Sequence, residues 1–337
     1  MSTQQQLQDT INALVDGRRG ILAADESNPT IASRFSTIDV KSTEENRRAY
    51  RSLLLSTESL GEYISGVILF EETLLQSDGG IYLTSLAANN SIVPGIKVDK
   101  GKGPLPGSPG DMITYGLDGL DKRLQGYKDQ GARFAKWREV YPITATNPGK
   151  LGLTANAETL ARYAAVCQQQ GIVPIVEPEV LMDGNHDMDR CALVIEEVLQ
   201  EVFYALYRHK VCLEHMILKP SMVTPGKEFA RATAEQVAEN TLRVLKRCVP
   251  AAVPSINFLS GGQSPQEATE NLNAINQLAT HPPWQLSISY GRALQQPVLG
   301  TWLGKDENKL AAQQALLKRA KLNSLARQGQ YISEMEL

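Results

Sequence analysis

Short apolar runs rich in β-branched residues recur eight times along the 337-residue chain: Gly20–Ala24, Gly66–Phe70, Val93–Val98, Arg133–Arg138, Ile172–Glu177, His215–Lys219, Ala252–Ser260 and Gln285–Ser289. Their apolarity is continuous rather than alternating, as in strands covered on both faces. Between most of them apolar positions recur at i, i+3 and i+4, which predicts helices over Thr43–Ser56, Leu117–Gln130, Asn156–Gln170, Met188–Tyr207, Thr233–Lys246 and Pro265–Leu278. Each interval between strands has room for one crossover helix, so the strands should run parallel. Eight such strands close most economically into an α/β fold of the (β/α)8 TIM barrel type. A last amphipathic helix, Asn308–Arg327, and a short polar tail, 328–337, complete what reads as a single domain over 1–337 with extra terminal helices. The run Gly101–Gly110 has the composition of a linker, but it lies between the third strand and its helix and is expected to be a long surface loop.

Charge narrows the range of partners. Lys plus Arg total 34 against 37 Asp plus Glu, a net charge of −3, too balanced for nucleic acid to be the main partner. Any anionic ligand must meet a local cluster instead. Cys167, Cys191, Cys212 and Cys248 form no CxxC pair and read as reduced packing residues. His186, His209, His215 and His281 show no metal-ligand spacing, and Asn185-His186-Asp187 reads as a solvated loop, so no metal and no cofactor are expected. The first residues hold no apolar run of signal-peptide length, and nowhere do eighteen apolar residues follow one another. A cytoplasmic protein without membrane contact is the expectation.

The informative residues stand at the carboxyl ends of the predicted strands. They are Asp25 and Glu26 after strand one, Lys97 at strand three, Lys136 and Arg138 at strand four, and Glu177 and Glu179 at strand five. Lys219 ends strand six, Ser260-Gly261-Gly262 strand seven, and Ser289 with Gly291 and Arg292 strand eight. In a barrel these points converge on one mouth. Charges beside aliphatic neighbours are costly unless paired, and six strands bearing them at the same end is more than structural ion pairing requires. Clustered ammonium groups depress one another, so one amine is expected to be neutral near pH 7 and able to attack a carbonyl. The resulting protonated imine is an electron sink for breaking a neighbouring bond, with a carboxylate moving protons. Lys219 has the driest surroundings, Met216, Ile217, Leu218 and Pro220, and is the preferred nucleophile. Each lysine could instead bind phosphate or pair with Asp25 or Glu177.

Ser260-Gly261-Gly262 opens the helix Pro265–Leu278, and the next strand ends in Ser289-Tyr290-Gly291-Arg292; together they suggest a phosphate site of backbone N–H groups and a guanidinium. Ser27, Thr30 and Arg34 could meet a second anion or belong to an N-capped surface helix. Glu71-Glu72 and Thr43–Arg48 read as capping and solvated charge, and Trp137 is expected to fill the barrel.

The runs Gly20–Ser27, Thr43–Arg48, Gly95–Gly101, Phe134–Arg138, Ile175–Glu179, Leu218–Pro220, Phe258–Ser264 and Ser289–Gln295, in this order over nearly the whole chain, resemble class I fructose-bisphosphate aldolase. The resemblance implies reversible, metal-independent cleavage of fructose 1,6-bisphosphate into dihydroxyacetone phosphate and glyceraldehyde 3-phosphate, by a lyase of glycolysis that is usually a homotetramer. It implies that Lys219 forms the Schiff base, that Glu177 is the acid and base of carbinolamine formation and dehydration, and that Asp25 takes the proton from the hydroxyl beyond the scissile bond. Lys136 would stabilise charge there, with Glu179 orienting it and Lys97 nearby. Arg292, Ser260, Gly261 and Gly291 would hold the phosphate next to the ketone. Ser27, Thr30, Arg34 and Arg138 would lie toward the other phosphate. Animal members continue past Gln328–Tyr331 to a terminal tyrosine that assists proton exchange, whereas this chain stops at Leu337, so that step should fall to another residue or to water, or be slow. A protein that only senses sugar bisphosphates would share the mouth and release no triose.

Overall fold

Alternation along each strand decides which side chains meet inside the sheet and which meet the helices. The computed structural model describes residues 2–337 and contains one closed parallel barrel. Its strands are β1 (Gly20–Ala24), β2 (Ile64–Leu69), β3 (Val93–Lys97), β4 (Phe134–Tyr141), β5 (Val173–Val180), β6 (Ile217–Leu218), β7 (Ser255–Phe258) and β8 (Gln285–Tyr290). They pair in sequence order around the ring, and β8 closes on β1 through Ile21 opposite Ser289. All eight coincide with expected strands, shifted by a few residues at the ends.

Two apolar clusters lie on opposite faces of this ring. Ile21, Ala23, Ile68, Phe134, Val173, Ile175 and Ile217 form the inner one, sealed from below by Leu7, Ile11 and Leu14 of the N-terminal helix α1 (Thr3–Leu14). This helix lies where the sequence predicts no element. Phe134 fills the axis because Gly66 and Gly95 leave room for its ring; a Cβ at Gly95 would fall 2.3 Å from it. The outer cluster packs the strands against the helices, among them α2 (Asn28–Ser36), α3 (Glu44–Leu55), α4 (Leu120–Asp129), α5 (Lys150–Gln169), α6 (Met188–Arg208), α7 (Ala234–Cys248), α8 (Pro265–Leu278), α9 (Arg292–Trp302) and α10 (Lys309–Ala326). Trp137 belongs here: fully buried, it packs against Tyr163 of α5 outside the barrel rather than inside it.

Three further expectations are corrected. The glycine- and proline-rich run after β3 is not a bare loop, because Lys102–Pro104 pairs with Met112–Thr114 as an antiparallel hairpin, its turn supplied by Gly107 and Gly110 at positive φ. β6 is only two residues long, preceded by a 3-10 turn at Leu213–His215. Lys219 still donates its backbone N–H to the carbonyl of Val176, but Pro220 has no N–H with which to extend the ladder. The tail 328–337 folds back: Tyr331 is buried, its N–H donates to Asn273, and Glu336 pairs with Arg319.

Candidate active site

On the inner face the residue parity that is apolar at the bottom of the barrel becomes ionic at the top. Ile21 and Ala23 are followed by Asp25, Phe134 by Lys136 and Arg138, Val173 and Ile175 by Glu177 and Glu179, and Ile217 by Lys219. The mouth so formed is a cavity of about 1110 Å³. Six cations (Arg34, Lys97, Lys136, Arg138, Lys219, Arg292) and four carboxylates (Asp25, Glu26, Glu177, Glu179) line it, an excess of two positive charges in a chain whose net charge is −3. Such a local excess suits a ligand with more than one anionic group.

At the centre Lys136 Nζ lies 2.8 Å from Asp25 Oδ2 and 3.1 Å from Glu177 Oε2, while Lys219 Nζ lies 3.2 Å from Glu177 Oε1. Lys136, Glu177 and Lys219 are all buried. Burial alone would raise the pKa of Asp25 and Glu177, but the ammonium groups of Lys136 and Lys219 outweigh it and hold both below the ordinary carboxylate range. Burial likewise opposes the charge on Lys136, yet Asp25 and Glu177 overcome it and raise its pKa. Mutual depression of clustered ammonium groups therefore does not describe Lys136, because carboxylates sit between the lysines.

Around this centre one expected contact is replaced by another. Glu179 pairs with Arg138, not with Lys136, and the pair holds the half-buried Arg138 guanidinium firmly charged. Lys97, opposite Lys136 in register, pairs with Asp99 at 2.6 Å, a buried partner for which sequence reasoning assigned no role although it stands on the same strand parity two residues on. Ser27 occupies the N-cap position of α2, but its hydroxyl lies 3.0 Å from that of Thr30 rather than on the helix backbone, so both hydroxyls border the mouth.

Arg34 is held by Glu26, whose carboxylate also meets Arg51 at 2.6 Å and accepts a 2.7 Å hydrogen bond from Gln295. Gln295 in turn donates to the Ala23 carbonyl and accepts from Tyr50. This arrangement brings Arg34 Nη2 to 3.7 Å from where a Cβ would stand at Gly291, beside the eighth strand end. Arg51 and Gln295 are thus part of the site without touching the cavity, and periodicity does not mark them out. Ser260, Gly261, Ser289, Gly291 and Arg292 line the same mouth, and the buried Ser289 hydroxyl has no partner. Gly262 stands one residue beyond, its φ of 93° in the left-handed region. Among the described residues no group of His, Cys, Asp and Glu side chains is arranged to hold a metal ion.

A sequence profile described as fructose-bisphosphate aldolase class-I matches residues 6–337. The chain belongs to the class-I fructose-bisphosphate aldolase family. The cytosolic fructose-bisphosphate aldolase 6 of Arabidopsis thaliana is 54% identical over 320 residues, 95% of this chain and 89% of the relative. Fructose-bisphosphate aldolase B of Gallus gallus is 52% identical over 97% of this chain and 91% of its own length. The solved aldolase structure from Plasmodium falciparum, in complex with TRAP and a small molecule inhibitor, superposes with a TM-score of 0.96 at 50% identity, covering 98% of this chain and 96% of that one. The aldolase is a lyase of glycolysis, and its class cleaves fructose 1,6-bisphosphate reversibly through a lysine Schiff base. Among the described residues no helix is long and apolar enough to cross a membrane.

Proposed function

We propose that Lys219 is the lysine that forms the imine in this aldolase. The observation that carries the assignment is the line of ionic contacts from Lys219 through Glu177 and Lys136 to Asp25, in which each neighbour is 2.8 to 3.2 Å away. Among the described residues Glu177 is the one carboxylate in contact with Lys219. It takes a proton from the ammonium, and the free amine adds to the ketone carbonyl to give a carbinolamine. Protonated Glu177 then returns the proton to the carbinolamine hydroxyl, which leaves as water, and the iminium remains. Asp25 accepts the proton of the hydroxyl on the far carbon of the scissile bond as that bond breaks, so that this C–O becomes the aldehyde carbonyl. The electron pair moves into the iminium, leaving an enamine on Lys219 and releasing glyceraldehyde 3-phosphate. Protonation of the enamine carbon and hydrolysis of the imine free dihydroxyacetone phosphate. Lys136, fixed between the two carboxylates, offsets charge developing on the substrate oxygen, and a group already in place does so without reorganisation.

Phosphates are assigned to the two ends of the mouth. Arg292, with Ser260, Gly261, Gly262, Ser289 and Gly291, takes the one nearest the ketone; Ser27, Thr30 and Arg138 take the other, with Lys97 beside the path. Arg34 serves both ends, since Glu26 holds it next to Gly291. Glu179 keeps Arg138 in place and acts on Lys136 only through the neighbouring charges. The same proposal takes residues 1–337 as one functional domain and the protein as a cytoplasmic homotetramer. The cytosolic names of relatives support the location, and the subunit count rests on the family resemblance, with analytical ultracentrifugation as its check.

Reduction with borohydride in the presence of dihydroxyacetone phosphate should leave a covalent adduct on Lys219 in a peptide map. Lys219→Met should abolish the adduct and lower kcat by about three or more powers of ten, with the thermal transition retained. An adduct on Lys136 or Lys97, or substantial turnover by the variant, would move the nucleophile elsewhere.

A further inference from the structure

Lys227 stands outside the residues assigned above, in the segment between β6 and α7. Its backbone N–H donates to the carbonyl of Met182 at 2.8 Å, and its half-exposed ammonium lies 2.8 Å from Asp183. The informative contact is with the seventh strand end. At Gly262 the position a Cβ would take is 3.2 Å from Lys227 Cε and 3.8 Å from Lys227 Nζ, and the same position is 3.5 Å from Arg292 Nη2. Two cations from different parts of the chain thus reach one point beside Gly262, whose φ of 93° favours glycine. Arg292 has no carboxylate or hydrogen-bond partner among the described residues, so Asp183 is the one counter-charge in contact with either. The mouth reaches Gly261, and a smaller pocket of about 190 Å³ begins at Gly262, lined by Lys227, Arg231 and Glu267 among others.

Like charges brought together repel unless an anion lies between them, and a dianion satisfies two cations where a monoanion satisfies one. We propose that Lys227 is a second cation for the ketone-side phosphate, a specificity-determining residue acting with Arg292 across Gly262. The proposal rests on the placement of that phosphate at the seventh and eighth strand ends. On substrate entry the ammonium divides its attraction between Asp183 and the phosphate, and it favours phosphorylated over unphosphorylated ketoses without touching the bonds that change.

Steady-state cleavage of fructose 1-phosphate by Lys227→Met, Lys227→Arg, Asp183→Asn and Arg292→Ala, with inorganic phosphate as a competing inhibitor, tests it. Lys227→Met should raise KM about threefold with kcat unchanged and weaken inhibition by phosphate to a similar degree, as expected for a partly exposed charge contact. Lys227→Arg should restore both values, and Asp183→Asn should lower KM. If Arg292→Ala raises KM while Lys227→Met changes neither KM nor phosphate inhibition, Lys227 is only the partner of Asp183 and the proposal is overturned. If Arg292→Ala has no effect either, the phosphate has been placed wrongly and the wider assignment falls with it.

Discussion

Replacing Lys136 by methionine removes the ammonium between Asp25 and Glu177 while keeping a side chain of similar length. Both carboxylate oxygens lie within 2.8 and 3.1 Å of the same nitrogen, so they are at most about 6 Å apart. Two negative charges at that distance repel by about 3 kcal/mol at an effective dielectric constant near 20, a factor of about 100 in a protonation equilibrium. In the wild type both carboxylates titrate below their ordinary range. Their stabilising contribution is therefore complete above the unfolded value near pH 4 and is lost only as the pH falls through the lower folded values. Without Lys136 one of the pair holds its proton to higher pH, and the acid limb of the triose-release profile should move up by about two pH units. The maximal rate should also drop by about 100- to 1000-fold, as when one preorganised stabilising group is removed. Stability should fall by about 3 kcal/mol at pH 7, where Asp25 is ionised without its ion-pair partner, and the deficit should shrink toward pH 4. A coupled triose assay and thermal denaturation from pH 4 to 8 measure all three effects. An acid limb within half a pH unit of the wild type, together with most of the activity, would refute the placement of Lys136 at the centre of the charge network.

Other perturbations separate binding from folding. Arg292→Ala should raise KM for fructose 1,6-bisphosphate and fructose 1-phosphate by about tenfold or more, since it removes a charge-assisted phosphate contact; an unchanged preference for phosphorylated ketose contradicts the assignment. Glu139 is buried beneath the hairpin, accepts hydrogen bonds from Trp137 Nε1 and the Thr114 N–H, and is pushed by burial up to about 7. The folded state thus holds a proton that the unfolded state has lost, so its contribution to stability is complete below about pH 4.5 and declines as the pH rises to about 7. Glu139→Gln should flatten that decline, by up to about 3 kcal/mol between pH 4.5 and 7.5 in denaturant titrations; an unchanged slope would mean that Glu139 stays ionised throughout.

The parts of this molecule that could be read in advance are those governed by a local period. Strand parity carries an apolar inner row directly into Asp25, Lys136, Glu177 and Lys219, so the residues that meet at the mouth were readable once the barrel was expected. Which of them pair was not readable, because pairing depends on how strands are displaced along one another. Arg138 lies opposite Glu177 in register yet pairs with Glu179, one inner-face position further along β5. Helix α1 was missed because only one face of it is apolar and that face is short, Leu7, Ile11 and Leu14 among polar neighbours. The hairpin after β3 was missed because glycine and proline make a tight turn look like a linker. Asp99, Arg51 and Gln295 act through partners distant in sequence or just outside the periodic segment, and no spacing rule identifies such residues.

Helix α1 also governs traffic. With the lower end of the barrel stoppered by Leu7, Ile11 and Leu14, substrate and products share the upper opening. Both halves of a cleaved ketose leave by that doorway, the aldehyde untethered and the other half once water has freed it from the imine. One opening therefore serves scission and synthesis alike.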